Sequence, residues 1–148
     1  MKTFAFCPIS ENKIDEYVTR TNAGFTVLII VSFLIASNFL FVVFLGVDFL
    51  LRSLELPKFS LVGISSRNIL KYLQVKSKPI NAGPKIFAAR IGLVLTSMIL
   101  LGILIQSNLL VIGISLILGI FSFLEFAFGF CVACQIYPYV YVLVYGHK

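Results

Sequence analysis

Two cysteines, Cys131 and Cys134, stand three residues apart in FAFGFCVACQIYP, where the last long hydrophobic run of the chain stops. On a helix, residues i and i+3 share a face, so the two sulfurs can form a disulfide or grip one soft metal ion. A third thiol, Cys7, lies in FAFCP, and the phenylalanine spacing of FAFC matches that of FGFC at Phe128–Cys131. This echo suggests that the N-terminal segment lies beside the end of the last hydrophobic run. Cys7, Cys131 and Cys134 are therefore the candidate reactive thiols.

Thiol acidity depends on where the helix ends. At a helix C-terminus the dipole is negative and disfavours a thiolate. If Gly129 breaks the helix and a new turn begins near Phe130, Cys131 sits at a helix N-terminus and becomes more acidic. Sequence leaves both cases open. A metal reading is incomplete for zinc, which takes four Cys or His ligands in structural sites. The chain offers three cysteines and one histidine, His147. Cys7, Cys131 and Cys134 would suit Cu(I) as a three-thiolate set. The competing reading is that the cysteines are small packing residues.

Charges inside apolar runs form the second candidate group. Asp48 and Arg52 are one helical turn apart and can pair. Arg90 and Glu125 each lie 17 residues from the Gln106-Ser107-Asn108 cluster, measured to Ser107 and Asn108 respectively. They are expected at similar depth on adjacent helices. Ionisable groups in lipid are costly and face a bundle interior. They serve as helix-docking ion pairs, as an ion or proton relay, or as an anion pocket lined by Arg52 and Arg90. No HExxH, Walker A, dinucleotide or Ser/His/Asp pattern occurs, and no cofactor is specified.

The elements that must position these residues are membrane helices. Hydrophobic residues make up 59% of the 148 and charged residues only 12%. A soluble domain has about a quarter charged residues, so this chain has too little polar surface to face water. The stretch Met1–Ile9 is too short for a signal-peptide h-region, and no cleaved signal is expected. The charge-free run Ile91–Leu124 exceeds the roughly 30 Å of a bilayer core as a single helix. It should turn at Gln106-Ser107-Asn108. Ala36-Ser37-Asn38-Phe39-Leu40 echoes Gln106-Ser107-Asn108-Leu109-Leu110 and suggests a second copy of the same hairpin.

The expected fold is an all-α membrane protein of one domain, 1–148. It has four transmembrane helices, near 17–36, 39–54, 84–105 and 109–128, arranged as two helical hairpins. An amphipathic basic loop lies between them, with an interfacial segment at 60–78. Leu61, Ile64, Leu70 and Leu73 can share its apolar face. All 12 Lys and Arg fall before the first helix, on or between the second and third, or at Lys148. Neither hairpin tip carries one. The positive-inside rule then places both termini and the middle loop in the cytoplasm. The net charge of +6 is thus explained by topology, with the lipid bilayer as partner and no nucleic-acid reader. The tyrosines 137, 139, 141 and 145 supply an interfacial belt.

CPIS at 7–10, NAG at 22–24, VDFLLR at 47–52, GPKIFAARIG at 83–92 and FGFCVACQIY at 128–137 together resemble an uncharacterised bacterial integral-membrane family, a domain of unknown function. The resemblance implies four helices in the bacterial inner membrane, an early Cys-Pro and a late CxxC, and no activity. The layout is also similar to quinone-linked, disulfide-forming membrane enzymes of the vitamin K epoxide reductase type. Those work on the extracytoplasmic side, whereas these thiols are expected to face inward.

Three functions follow as expectations. The first is a cytoplasmic-face thiol site for disulfide exchange, persulfide handling or soft-metal binding, with a thiol or sulfur-carrier protein as partner. Cys131 is its nucleophile and Cys134 its resolving residue. The second is a non-catalytic membrane subunit or scaffold. The third is a small transporter using Asp48, Arg52, Arg90 and Glu125.

Overall fold

The computed structural model describes residues 13–54 and 59–145. Cys7 and His147 lie outside them, as do the remaining N-terminal residues and Lys148. The order of elements is β1 (Lys13–Asp15), α1 (Glu16–Ala36), α2 (Leu40–Ser53), α3 (Leu61–Tyr72), β2 (Pro79–Asn81), α4 (Ala82–Leu104), α5 (Asn108–Phe128) and α6 (Val132–Tyr145).

Local chemistry sets the boundaries. The Asp15 carboxylate caps α1 by accepting the Tyr17 N–H at 3.1 Å, satisfying one of the free donors at a helix start. Ser37 ends α1 in the left-handed region at φ 51°, and its N–H returns to the Phe33 carbonyl at 2.8 Å. The Asn38 side chain accepts the Leu40 N–H at 3.0 Å and starts α2. In the other hairpin the left-handed residue is Gln106, at φ 58°. The two polar clusters are therefore both turns, as their side chains favour.

Both predicted hairpins form, within two residues of their expected bounds. α1, α4 and α5 are long and apolar enough to cross a membrane. α2 is different: its 14 residues span only about 21 Å. Only 28%, 28% and 17% of the spanning stretches of α1, α4 and α5 are buried within the protein. Their outward faces carry residues such as Leu109, Leu116, Ile120 and Phe123. Faces this apolar suit helices that span a membrane.

The arrangement has a pseudo-two-fold axis. α1 packs on α2, α5 and α3, while α4 packs on α5, α2 and α6. Exchanging α1 with α4, α2 with α5 and α3 with α6 returns the same set. The two strands pair antiparallel about Ile14↔Ile80, with Lys13↔Asn81 and Asp15↔Pro79. Equivalent strands related by a two-fold axis must pair in this way. The repeat suggested by the hairpin tips thus extends over β1-α1-α2-α3 and β2-α4-α5-α6. Both α1 and α4 begin at the strand pair, so the strands, α3 and α6 share the end opposite the hairpin tips.

Ile30, Phe33, Val42, Leu45, Phe49 and Ile99 form most of the apolar core between the hairpins. Each repeat-to-repeat contact is closed by a glycine under a phenylalanine ring. A Cβ on Gly92 would stand 2.5 Å from Phe49, and one on Gly24 would stand 2.8 Å from Phe126. Phe49 is buried, whereas Phe126 is half exposed and can swing away. Gly92→Ala is expected to cost about 1–3 kcal/mol through overpacking, and Gly24→Ala clearly less. Thermal unfolding of the two variants in detergent checks the order.

The segment expected at the interface, 60–78, is helical only over Leu61–Tyr72. Its buried side is Val62, Gly63 and Ser66. Leu61, Ile64 and Leu73 are exposed, available to a bilayer surface. Two features have no counterpart in the sequence reading. The strand pair joins segments 66 residues apart and shows no alternation long enough to detect. α6 carries Pro138 within it and an alternating Tyr/Val pattern that masks a helix.

Candidate functional site

Gly129 decides the geometry around the cysteines. It ends α5 in the left-handed region at φ 66°, and its N–H donates to the Glu125 carbonyl at 2.9 Å. The Arg20 guanidinium reaches across from α1 to the Phe126 and Ala127 carbonyls at 3.2 Å each. A cation there satisfies free carbonyls and complements the negative helix end. The chain then turns and restarts as α6, so Cys131 stands at a helix N-terminus. Of the two alternatives for Cys131, the acidifying one is realised.

Cys131 acts as the cap of α6. Its Sγ accepts the Cys134 N–H at 3.3 Å, the place usually taken by a Ser, Thr or Asp oxygen. The Cys134 thiol donates to the Pro84 carbonyl at 3.6 Å. The pair is thereby made unequal. The side-chain hydrogen bond from Cys134 lowers the Cys131 pKa, with help from Lys85 and against burial and Glu125. The same hydrogen bond, then burial and the neighbouring Cys131 charge, push the Cys134 thiol far up. Both cysteines are free thiols. Of the two, Cys131 is the more acidic thiol.

An ion pair stands beside them. Lys85 Nζ, in the first turns of α4, lies 2.5 Å from Glu125 Oε1 near the end of α5. Glu125 was expected to sit beside Arg90 at equal depth. Instead its partner is Lys85, and Arg90 is exposed. Equal distance from a tip fixes depth but not the side of the helix. Lys85 is five residues before Arg90 and falls on the inner side. The apolar run starts after both lysine and arginine, and nothing in it marks which one turns inward.

The expected Asp48–Arg52 pair forms, with Nη2 to Oδ2 at 3.0 Å. Asp48 is 3% exposed. Its other oxygen accepts the Ser60 hydroxyl at 2.5 Å, and Ser60 Oγ accepts the Gly63 N–H at 3.0 Å to cap α3. Arg52 lies over the Phe49 ring, 4.8 Å from its centroid. The Asp48–Arg52 contact is a charge contact without hydrogen-bond alignment, since Asp48 Oδ2 and Arg52 Nε and Nη2 have no hydrogen-bond partner among the described residues.

A cavity of about 660 Å³ lies between the repeats, at the strand end of the bundle, and joins these groups. Arg52, Lys85, Glu125 and Cys131 line it, and so does Asn22, which is 5% exposed with an unpartnered Oδ1. Phe49, Leu95, Leu118 and Phe121 make its apolar wall. Beyond Thr26, Leu95 and Leu118 the core residues Ile30, Phe33, Leu45 and Ile99 follow, so the lining stops short of the hairpin tips.

Among the described residues no group of three or more His, Cys, Asp or Glu is placed to hold a metal ion. The three-thiolate set also needs Cys7, which lies outside them.

Residues 14–141 match the family described as a domain of unknown function, DUF4395. The chain belongs to that family. Neither a curated protein nor a solved structure matches it. The match begins within β1 and ends within α6, so the DUF4395 unit contains both βααα repeats and the whole Cys131–Cys134 site.

Arg20 also went unnoticed in the sequence, where it is one of several basic residues before the first apolar run. Arg20→Met is expected to slow alkylation of Cys131 about threefold to tenfold at neutral pH, because it loosens the turn that presents the α6 N-terminus. Rates in the Cys7→Ser, Cys134→Ser background measure it.

Proposed function

We propose that this DUF4395 protein is a membrane dithiol exchanger. Cys131 is its nucleophile and Cys134 its resolving thiol. The observation that carries the reading is the cap: Cys134 N–H to Cys131 Sγ at 3.3 Å, with Cys131 at the head of α6 and facing the cavity. A low-pKa thiol paired with a resolving thiol one turn away is the arrangement that disulfide exchange needs. The Cys134 N–H on Cys131 Sγ and the Pro84 carbonyl at Cys134 Sγ make the two sulfurs unlike.

In this reading the protein sits in the bacterial inner membrane with four spanning helices, α2 being short and locally thinning the bilayer. The hairpin tips face outward. The strand pair, α3, α6 and both termini face the cytoplasm, where the basic residues gather. The exchange partner is a cytoplasmic thiol or sulfur carrier, and Cys7 is a third thiol of the chain.

The cavity also reaches Arg52 and Glu125, which favours a transporter as the second reading. That reading requires a path through the apolar core between Thr26 and the tips, and it demands a large rearrangement.

A membrane-impermeant maleimide applied to intact cells and to inside-out vesicles, with and without prior reduction, tests the proposal, and single-cysteine variants serve as controls. Labelling of Cys131 only from the cytoplasmic side, rising after reduction, is the expected result. Labelling from outside inverts the topology. No labelling from either side after reduction makes the cysteines packing residues.

A further inference from the structure

The two repeats cap their third helices in the same way. Ser60 precedes α3 and accepts the Gly63 N–H through Oγ; Cys131 precedes α6 and accepts the Cys134 N–H through Sγ. A phenylalanine stands before each cap, Phe59 and Phe130. Ser60 is thus the pseudo-symmetric counterpart of the reactive thiol, and both face the one cavity. Two helix N-termini, each with partial positive charge, therefore border it.

The side chains reinforce that field. Lys13, Arg52, Arg67 and Lys85 line the cavity against Asp15 and Glu125; Asp48 pairs with Arg52 from behind the lining and Glu125 pairs with Lys85, which leaves a small positive excess. Asn22 adds a buried amide oxygen without a partner among the described residues, an acceptor suited to an N–H or S–H of the ligand and not to its carboxylate. The volume, about 660 Å³, lies inside the range of roughly 300–1,000 Å³ usual for small-molecule sites. Cys131 is only 8% exposed, so a protein's surface disulfide reaches it poorly, while a small molecule in the cavity meets it directly.

We propose that the cavity selects small anionic disulfides and thiols as the exchange partners of Cys131. This rests on the dithiol reading and narrows it to a substrate class: acids with a short apolar body. The Cys131 thiolate attacks one sulfur of the disulfide RSSR, forming Cys131–S–S–R and releasing RS⁻, which takes a proton from water. Cys134 gives its proton to water, attacks the Cys131 sulfur and releases the second RS⁻. Two electrons pass from the dithiol to the incoming disulfide, and no other reactant is needed. The carboxylates of R lie against Arg52, Arg67 and the two helix N-termini, and the apolar body lies against Phe49 and Leu118.

The test uses the full chain, reduced, in neutral detergent, with Cys7→Ser. Its probes are dithiodipropionate, a dianion, and cystamine, a dication of similar size. Each rate constant is divided by that of the same disulfide with free N-acetylcysteine amide, which removes the difference in leaving group. Mass spectrometry of the Cys134→Ser variant locates the mixed disulfide. The expected result is a normalised preference of about tenfold or more for the dianion, shrinking in high salt. Arg67→Glu is expected to reduce or reverse it, and Lys13→Glu serves if the first variant fails to fold. Equal normalised rates, or a preference unchanged in a folded charge-reversal variant, overturn the anion selectivity and leave the dithiol reading intact. Failure of Cys131 to react with either probe, when denatured protein reacts normally, overturns the dithiol reading itself.

Discussion

Cys131 alkylates at neutral pH at least tenfold faster than Cys134, and the pH midpoint of its reaction falls below the ordinary thiol value of about 8.5. This is the expected result for the Cys7→Ser protein carrying Cys134→Ser or Cys131→Ser, followed with iodoacetamide across pH 5–10. The sign follows from the two environments. The nucleophile is the thiolate, so the rate rises as pH passes the pKa. For Cys131 that pKa is lowered, first by the hydrogen bond from Cys134. The backbone N–H of residue 134 persists in the serine variant and continues to donate to Sγ. The Cys134 pKa is raised by the hydrogen bond with Cys131, which the Cys131→Ser variant loses, and by burial, which remains there beside the Pro84 carbonyl that engages its proton. Its rate should stay low until well above neutrality. In protein that keeps Cys134, Cys131→Ser is expected to abolish disulfide exchange, a loss of at least about a hundredfold, because the less acidic Cys134 does not replace the nucleophile. Cys134→Ser should instead trap the mixed disulfide. Equal alkylation rates with ordinary midpoints would remove the physical basis for a nucleophile and a resolving partner.

Asp48→Ala is expected to be among the most damaging single substitutions in the chain, costing about 3–5 kcal/mol. It leaves Arg52 as an uncompensated charge at a side-chain exposure of 18%. It also removes the acceptor of the Ser60 hydroxyl, which holds the start of α3. The paired change Asp48→Leu with Arg52→Met should recover most of the loss, since a buried ion pair replaced by apolar groups of similar size is often near neutral in stability. Unfolding of the three variants in detergent, followed by circular dichroism, measures this. A single Asp48→Ala change that leaves the midpoint unmoved would mean that Asp48 neither compensates Arg52 nor holds the start of α3. The same double variant also bears on function. If it folds and still exchanges disulfides, Asp48 and Arg52 serve the architecture alone.

The sequence by itself determined how the chain is segmented into long apolar helices. Lipid admits few spanning structures, and every backbone group must be satisfied within a helix. The lengths of the apolar runs therefore translate directly into helices. The Ser37-Asn38 and Gln106-Ser107 clusters, being the polar interruptions, mark the turns. The Asp48–Arg52 pair was equally legible, because i to i+4 spacing on one helix is a local relation. Cys131 and Cys134 stood out for the same local reason.

Tertiary structure decided the rest, and in each case the deciding relation is non-local. Glu125 meets Lys85 rather than Arg90 because the rotation of α4 about its axis is set by packing of Gly92 under Phe49, on another helix. A nearly uniform apolar helix gives no periodic signal from which to read that rotation. The left-handed turn at Gly129, held from α1 by Arg20, chose between an ordinary and an acidic Cys131. The strand pair and the cap equivalence of Ser60 and Cys131 appear only when the two repeats are laid against each other. So does the cavity between them. Local spacing can name a thiol pair, but the charges that face it come from other segments of the chain. Only the folded packing brings those segments together.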